Sequence, residues 1–208
     1  MSSQNPPVDR INQSLIEKIR KATGALHGKL EAHPVSQMIM NSSLTIPGYM
    51  FYLGLMKEVV ADYETNIIPL IKSTSYTLLP SKKQLIESDL IYLEKQGYKI
   101  PALTQFQFPF QNNNAYLTGI AYVMEGSALG GRIIYKHISQ NLELSSQNGA
   151  SYFYGNGELT GRMWIQFLEL MSSHAKCSSE EVEMISGAQN AFNSIFDYFT
   201  NHSIPYEA

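Results

Sequence analysis

The sequence predicts an all-α fold, a single-domain multi-helical bundle. Six segments carry apolar residues at three- and four-residue steps, the period of an amphipathic helix. Alternating apolar and polar runs, the mark of half-buried strands, are scarce. A chain of 208 residues with 44% hydrophobic and 16% charged side chains, free of biased tracts, suits one sizeable core.

Residues 1–8 (MSSQNPPV) read as frayed, and the expected organisation is a flexible leader over 1–12 followed by one domain over 13–202. Leu15, Ile16, Ile19, Ala22, Leu26 and Leu30 then mark a first helix, which Pro34 stops. Pro47 suits the first turn of a second, carried by Tyr49, Tyr52, Leu53, Met56, Val59, Val60 and Tyr63 to about Leu70. A third spans Ser81 to Gln96, with Ser81 as N-cap and Gly97 as stop. The stretch from Ile100 to Asn114 has prolines, asparagines and aromatic rings without a period, so it reads as a connection that packs its rings down. Helices resume over Ala115–Ile138, Leu159–Ser172 and Ser179–Phe199, with a loop at Ser145–Gly157. There is no internal repeat.

Composition excludes several classes of function. The net charge of −3 mixes both signs without a basic concentration, which argues against nucleic acid. No stretch approaches the roughly 18 uninterrupted apolar residues of a membrane span, and Met1 to Pro7 lack the apolar core of a signal peptide, so the expected location is the cytoplasm. Cys177 stands alone and cannot close an internal disulfide; it reads as an incidental thiol in a reducing compartment. No G-x-G-x-x-G follows a strand, so there is no flavin or nicotinamide fingerprint, and no Glu-x-x-His pair suggests a di-iron site.

Two features carry chemistry. The segment AYLTGIAYVMEGSALGGRIIYKHI holds Gly119, Gly126, Gly130 and Gly131, and each glycine inside a helix costs about 1 kcal/mol relative to alanine. Gly126 and Gly130 share one face. Close helix packing through small residues offsets that cost, and so does a flat ligand laid against bare backbone. The motif leaves both readings open. The second feature is His27, beside the apolar stripe of the first helix, with Thr23 one turn before it and Glu31 one turn after. Glu31 can reach a ring nitrogen and strengthen the imidazole as a metal ligand. Arg20, two turns back on the same face, can meet an anionic group. A histidine on one helix and a glycine strip on another make a sandwich for a planar metal complex, which heme fits best. His137 is the rival ligand and reads as a structural or rim residue; His33, His174 and His202 fall at helix ends or in loops.

IRKATGALHGKLEAHP resembles the first helix of heme oxygenases, and YVMEGSALGGRII resembles their distal helix in the bacterial, biliverdin-producing branch often found beside bacterial phytochromes. GAQNAFNSIFDYF and the intervening YFYGNGELTGRMW also resemble that branch, so the likeness covers about residues 13–200. The resemblance implies that His27 is the axial iron ligand, Glu31 its partner and Arg20 a propionate contact. Thr23 and Tyr122 would stand beside the heme, and Gly126, Gly130 and Gly131 would cover its distal face, with the Gly130 N–H as donor to bound oxygen. Phe192 would line the pocket, and Arg162 would be a second propionate contact. Mammalian-type enzymes carry an aspartate where this sequence has Ser127, so Ser127 would hold the catalytic waters without a charge.

The implied activity is cleavage of heme to biliverdin, Fe(II) and CO, dependent on O2 and a reductant. A non-catalytic heme-binding or storage protein of the same fold is the alternative. Electrons would come from an external donor such as ferredoxin, flavodoxin or a reductase, and a phytochrome is a candidate biliverdin acceptor. Lys18, Lys21 and Lys29 share a face of the first helix and read either as solvated surface or as a docking patch for an acidic donor.

Overall fold

The computed structural model describes residues 7–71, 81–99 and 102–202, with side chains from residue 14 onward. The helices are α1 (Pro7–Glu31), α2 (Pro34–Ile39), α3 (Ile46–Asp62), α4 (Lys82–Lys95), α5 (Asn114–Leu142), α6 (Ser151–Tyr154), α7 (Thr160–Ser173) and α8 (Ser178–Thr200). Among the described residues there is no strand, only isolated bridges from Ser145 to Asn148 and Gly149. The all-α expectation holds.

Local chemistry explains most boundaries. Thr45, Ser81 and Asn113 cap α3, α4 and α5 by accepting backbone N–H groups of the first turn. Gly97, just past α4, takes φ +94°, a conformation that glycine reaches without a Cβ penalty. The aromatic connection before α5 buries Phe106 and Phe108, with ring centroids 4.6 Å apart at 84°.

Four boundaries depart from the sequence reading. α1 is already helical at Pro7, inside the stretch expected to be a leader; residues 1–6 lie outside the described residues. Pro34 ends one helix and also opens the short α2, with His33 as its N-cap. The second long helix stops being α-helical at Asp62 and continues as a π-helical turn (Tyr63–Ile67) and a 3-10 turn (Ile68–Leu70). Pro69 accounts for this, since it has no N–H to give to residue 65 and its ring crowds that carbonyl. The loop expected at 145–157 contains α6, whose N-terminus is pinned by Asp89: its carboxylate accepts Ser151 N–H, the Ser151 hydroxyl and Tyr152 N–H, at 2.7–2.8 Å.

The core centres on the contact of α5 with α8. A Cβ on Gly119 would lie 2.0 Å from the Met184 carbonyl oxygen, and a Cβ on Gly187 would lie 2.0 Å from that of Tyr116. The two helices therefore touch backbone to backbone. α1 runs beside α8 in the same direction, as successive contacts show: Lys18 to Glu181, the Ala22 carbonyl to Gln189, His27 to Phe192, and His33 to Thr200.

Gly119→Ala and Gly187→Ala should each destabilise the fold by about 1–3 kcal/mol or more through overpacking. Gly130→Ala has open space around the new methyl and should match or exceed wild-type stability, with a gain of up to about 1 kcal/mol from helix propensity. Thermal unfolding checks this, and equal midpoints for all three variants would refute so close a crossing.

Candidate functional site

Arg20, Gly24, His27 and Glu31 fall on one face of α1 by their spacing. The His27 side chain is 58% exposed, and its ring meets Phe192 of α8 edge-on, with centroids 5.6 Å apart at 89°. His27 Nδ1 lies 3.5 Å from Glu31 Oε2. Both groups are well exposed, so the pair adds little stability; a carboxylate in this place favours the tautomer with its proton on Nδ1. A Cβ on Gly24 or Gly28 would meet nothing within 4 Å, so α1 leaves open space at both glycines beside His27.

On α5 the matching stripe is Tyr122, Gly126, Gly130 and Ile133. Burial raises the pKa of the Tyr122 hydroxyl, and the Arg20 guanidinium stands near enough to oppose the rise in part, so the two stripes approach each other at this end. Away from it Gly130 faces open space, and Ile133 beside it is 68% exposed. α7 closes one side of the slot with Trp164, whose ring is 5.7 Å from Tyr122 and stacks on Phe167 at 5.6 Å. α8 closes another side with Phe192 against His27.

The four glycines of α5 divide between the two readings that the sequence left open. Gly119 serves the α8 contact, and Gly131 is buried with the Phe153 carbonyl 3.2 Å from where its Cβ would stand. Gly126 lies under the Trp164 indole, 3.6 Å from its own would-be Cβ, which is ordinary contact. Gly130 is the bare one.

The remaining expected residues are placed as follows. Thr23 is buried with its hydroxyl donating to the Ile19 carbonyl at 2.7 Å, so its proton is spent within α1. Ser127 is exposed and donates to the Met124 carbonyl at 2.8 Å, leaving only its oxygen lone pairs for water. Arg162 is exposed on α7, two residues before Trp164. Of the three lysines, Lys18 is held by Glu181 at 2.6 Å and Lys29 lies over the Phe196 ring at 3.9 Å; α8 draws both away from an open basic face. The other histidines spend ring nitrogens within the fold: His137 on the Asn41 carbonyl and Asn141, His174 on Thr118, His202 on Thr104 and the Tyr198 carbonyl. Sequence reasoning missed Trp164 and a buried cluster of Tyr63, Lys82 and Glu125 behind α5. Glu125 gave one signal, a carboxylate directly before Gly126 in an otherwise apolar stretch.

The family model described as Heme oxygenase matches residues 13–201. The chain belongs to the heme oxygenase family. Among solved structures it resembles the NO- and CO-bound heme oxygenase from Neisseria meningitidis at 20% identity and a TM-score of 0.66, over 92% of this chain and 96% of that one. It also resembles the heme oxygenase from Leptospira interrogans at 17% identity and a TM-score of 0.67, over 91% of this chain and 100% of that one. A comparison with curated proteins finds no match. Among the described residues no helix is long and apolar enough to cross a membrane.

His33 yields a pH dependence separate from the slot. Its Nδ1 accepts Val35 N–H at 3.2 Å, and its Nε2 lies 3.3 Å from Thr200 Oγ1, whose hydroxyl already donates to the Phe196 carbonyl. The ring is therefore neutral with its proton on Nε2, and burial lowers its pKa below the ordinary 6.5. A depressed folded pKa means that this contribution is present above pH 6.5 and is lost as the pH falls through the folded value. Wild-type stability should therefore decline on acidification below pH 6.5 more steeply than that of His33→Asn, which keeps a capping acceptor without titrating. Parallel pH profiles from denaturant melts would count against this.

Proposed function

We propose that the protein is a catalytic heme oxygenase that takes heme as substrate and, with O2 and electrons from outside, opens it to biliverdin, Fe(II) and CO. The observation that carries this reading is an exposed imidazole at His27 on α1 together with bare backbone at Gly130 on α5, the two helices that approach at Arg20 and Tyr122. The donor set fits heme: one imidazole with a carboxylate behind it, an arginine at one end, and apolar or aromatic walls at Phe192, Trp164 and Ile133.

Bound heme would supply the iron at which O2 is reduced and the ring carbon that is oxidised. His27 would hold the iron through Nε2, with Glu31 fixing the ring's tautomer and orientation. Arg20, and Arg162 as a second candidate, would take the propionates; Arg20 stands where α1 and α5 meet, so an anion there sets the ligand's rotation in the slot. At Gly130 no side chain would stand between the backbone and a bound heme, so the backbone would crowd that face and restrict access to it. Ser127 Oγ, whose proton goes to the Met124 carbonyl, would accept a hydrogen bond from water near that position and so help to hold a proton source. The chain carries no nucleotide fingerprint, so ferredoxin, flavodoxin or a reductase would supply electrons. The likeness of the EGS segment to the branch found beside bacterial phytochromes supports a phytochrome as acceptor of the product, in the cytoplasm.

One observation favours the alternative of a heme-binding or storage protein. The Ser127 hydroxyl carries no charge and its proton is engaged by the Met124 carbonyl, so it organises water less strongly than an aspartate would.

Mixing the purified protein with heme, then adding ascorbate or reduced ferredoxin in air, should give a heme spectrum that decays to that of biliverdin. Heme that binds and survives would establish the storage reading. His27→Ala should change the ferric spectrum and lower turnover by about 10²-fold, partly restored by imidazole; an unchanged spectrum would remove His27 as ligand. Gly130→Leu should keep heme binding and lose ring opening, and undiminished biliverdin would assign Gly130 no part in the reaction.

A further inference from the structure

Behind the slot, on the side of α5 that faces α3 and α4, lies a buried polar cluster to which the reaction as described gives no task. Glu125 Oε1 accepts the Tyr63 hydroxyl at 2.8 Å and pairs with Lys82 Nζ at 3.1 Å. The Glu125 and Lys82 side chains are only 8% and 13% exposed. Lys82 also donates to the Met124 carbonyl at 2.8 Å and lies 5.9 Å from the Tyr63 ring centre. That carbonyl takes the Ser127 hydroxyl as well.

Three elements converge here. Tyr63 stands at the start of the π-helical turn, a rare conformation that recurs at functional positions. The same turn carries Glu64, which accepts the Ser81 hydroxyl and Lys83 N–H and so fixes the N-terminus of α4, where Lys82 is the first residue. The outcome is that Met124 and Glu125, the two residues before Gly126, are held by side chains from outside α5. Burying an ion pair is a poor way to gain stability, because desolvation of both charges offsets their attraction and an apolar pair of similar size often does as well. A geometric role accounts for it better. A carbonyl that serves two side-chain donors tilts out of the helix ladder, and a change in that tilt moves the backbone that follows.

Building on the proposed function, we infer that Lys82 is a positioning residue for heme cleavage: with Glu125 and Tyr63 it clamps α5 at Met124 and so sets how closely the backbone at Gly130 stands to bound heme.

The test compares wild type with Lys82→Arg, Lys82→Met and the double variant Lys82→Met/Glu125→Gln, which leaves no buried charge unpaired and folds even where the single Met variant does not. Heme uptake is read from quenching of Trp164, the single tryptophan. In the double variant the Kd for heme should stay within about threefold, while kcat falls by about tenfold, as a small displacement of catalytic backbone permits. The C–O stretching frequency of carbon monoxide on the reduced heme should shift with it, and Lys82→Arg should restore both. In the heme-free protein, amide exchange should quicken over residues 124–131 of the double variant and not in α8. Wild-type kcat and C–O frequency in a stably folded double variant would overturn the inference, as would exchange that quickens uniformly. Failure of the wild type to take up heme would instead overturn the proposed function, and this inference with it, before any substitution is made.

Discussion

The backbone contact between α5 and α8 fixes the rest of the molecule. Gly119 and Gly187 each stand where a methyl would fall 2.0 Å from the other helix's carbonyl oxygen, so the approach has almost no slack. Helices whose contact includes side chains can slide over neighbouring ridges and grooves, whereas two helices in backbone contact cannot. α8 in turn carries α1 alongside it, from Lys18–Glu181 to His33–Thr200. The two walls of the slot are thus placed through a third helix. They approach each other at Arg20 and Tyr122; beyond that point Gly130 on one helix stays bare and His27 on the other stays exposed. A bundle whose walls closed on each other by ordinary packing would have buried the imidazole.

Periodicity is a local property, and it revealed what depends on local chemistry. The long helices and the caps at Ser81 and Gly97 were legible for that reason. Less legible were the features that arise when local rules conflict. Pro69 breaks a helix whose apolar pattern continues past it, and the chain resolves the conflict with π and 3-10 turns rather than by ending. α6 is four residues long and exists because Asp89, more than 60 positions away, takes its N-terminal donors. No window along the chain contains that information.

The site divides in the same way. His27, Glu31, Arg20 and the glycines could be singled out because their types are unusual for an amphipathic helix and their spacings put them on shared faces. Their division of labour could not be read. Gly126 and Gly130 are equivalent by spacing, yet one takes the Trp164 indole and the other stays bare, since α7 reaches only the first. Trp164 also stacks on Phe167 and so belongs in part to the core. Lys82 sits at the start of its helix in a solvated-looking Ser-Lys-Lys run, and its burial against Glu125 follows from the π-helical turn that no sequence period announces.

Charge placement shows how the fold constrains a donor surface. A lysine triplet on one helix face suggests steering of an acidic partner, an effect that depends on charges free to act over a Debye length. In the folded protein Glu181 neutralises Lys18 at short range, and Phe196 draws the Lys29 ammonium inward. Both partners come from α8, the helix that the glycine contact sets in place. The field that an approaching electron donor would meet is therefore weaker at this face than the lysine count implies. On this face of α1, Lys21 and Arg20 remain exposed, and Arg20 stands near Tyr122 where α1 approaches α5.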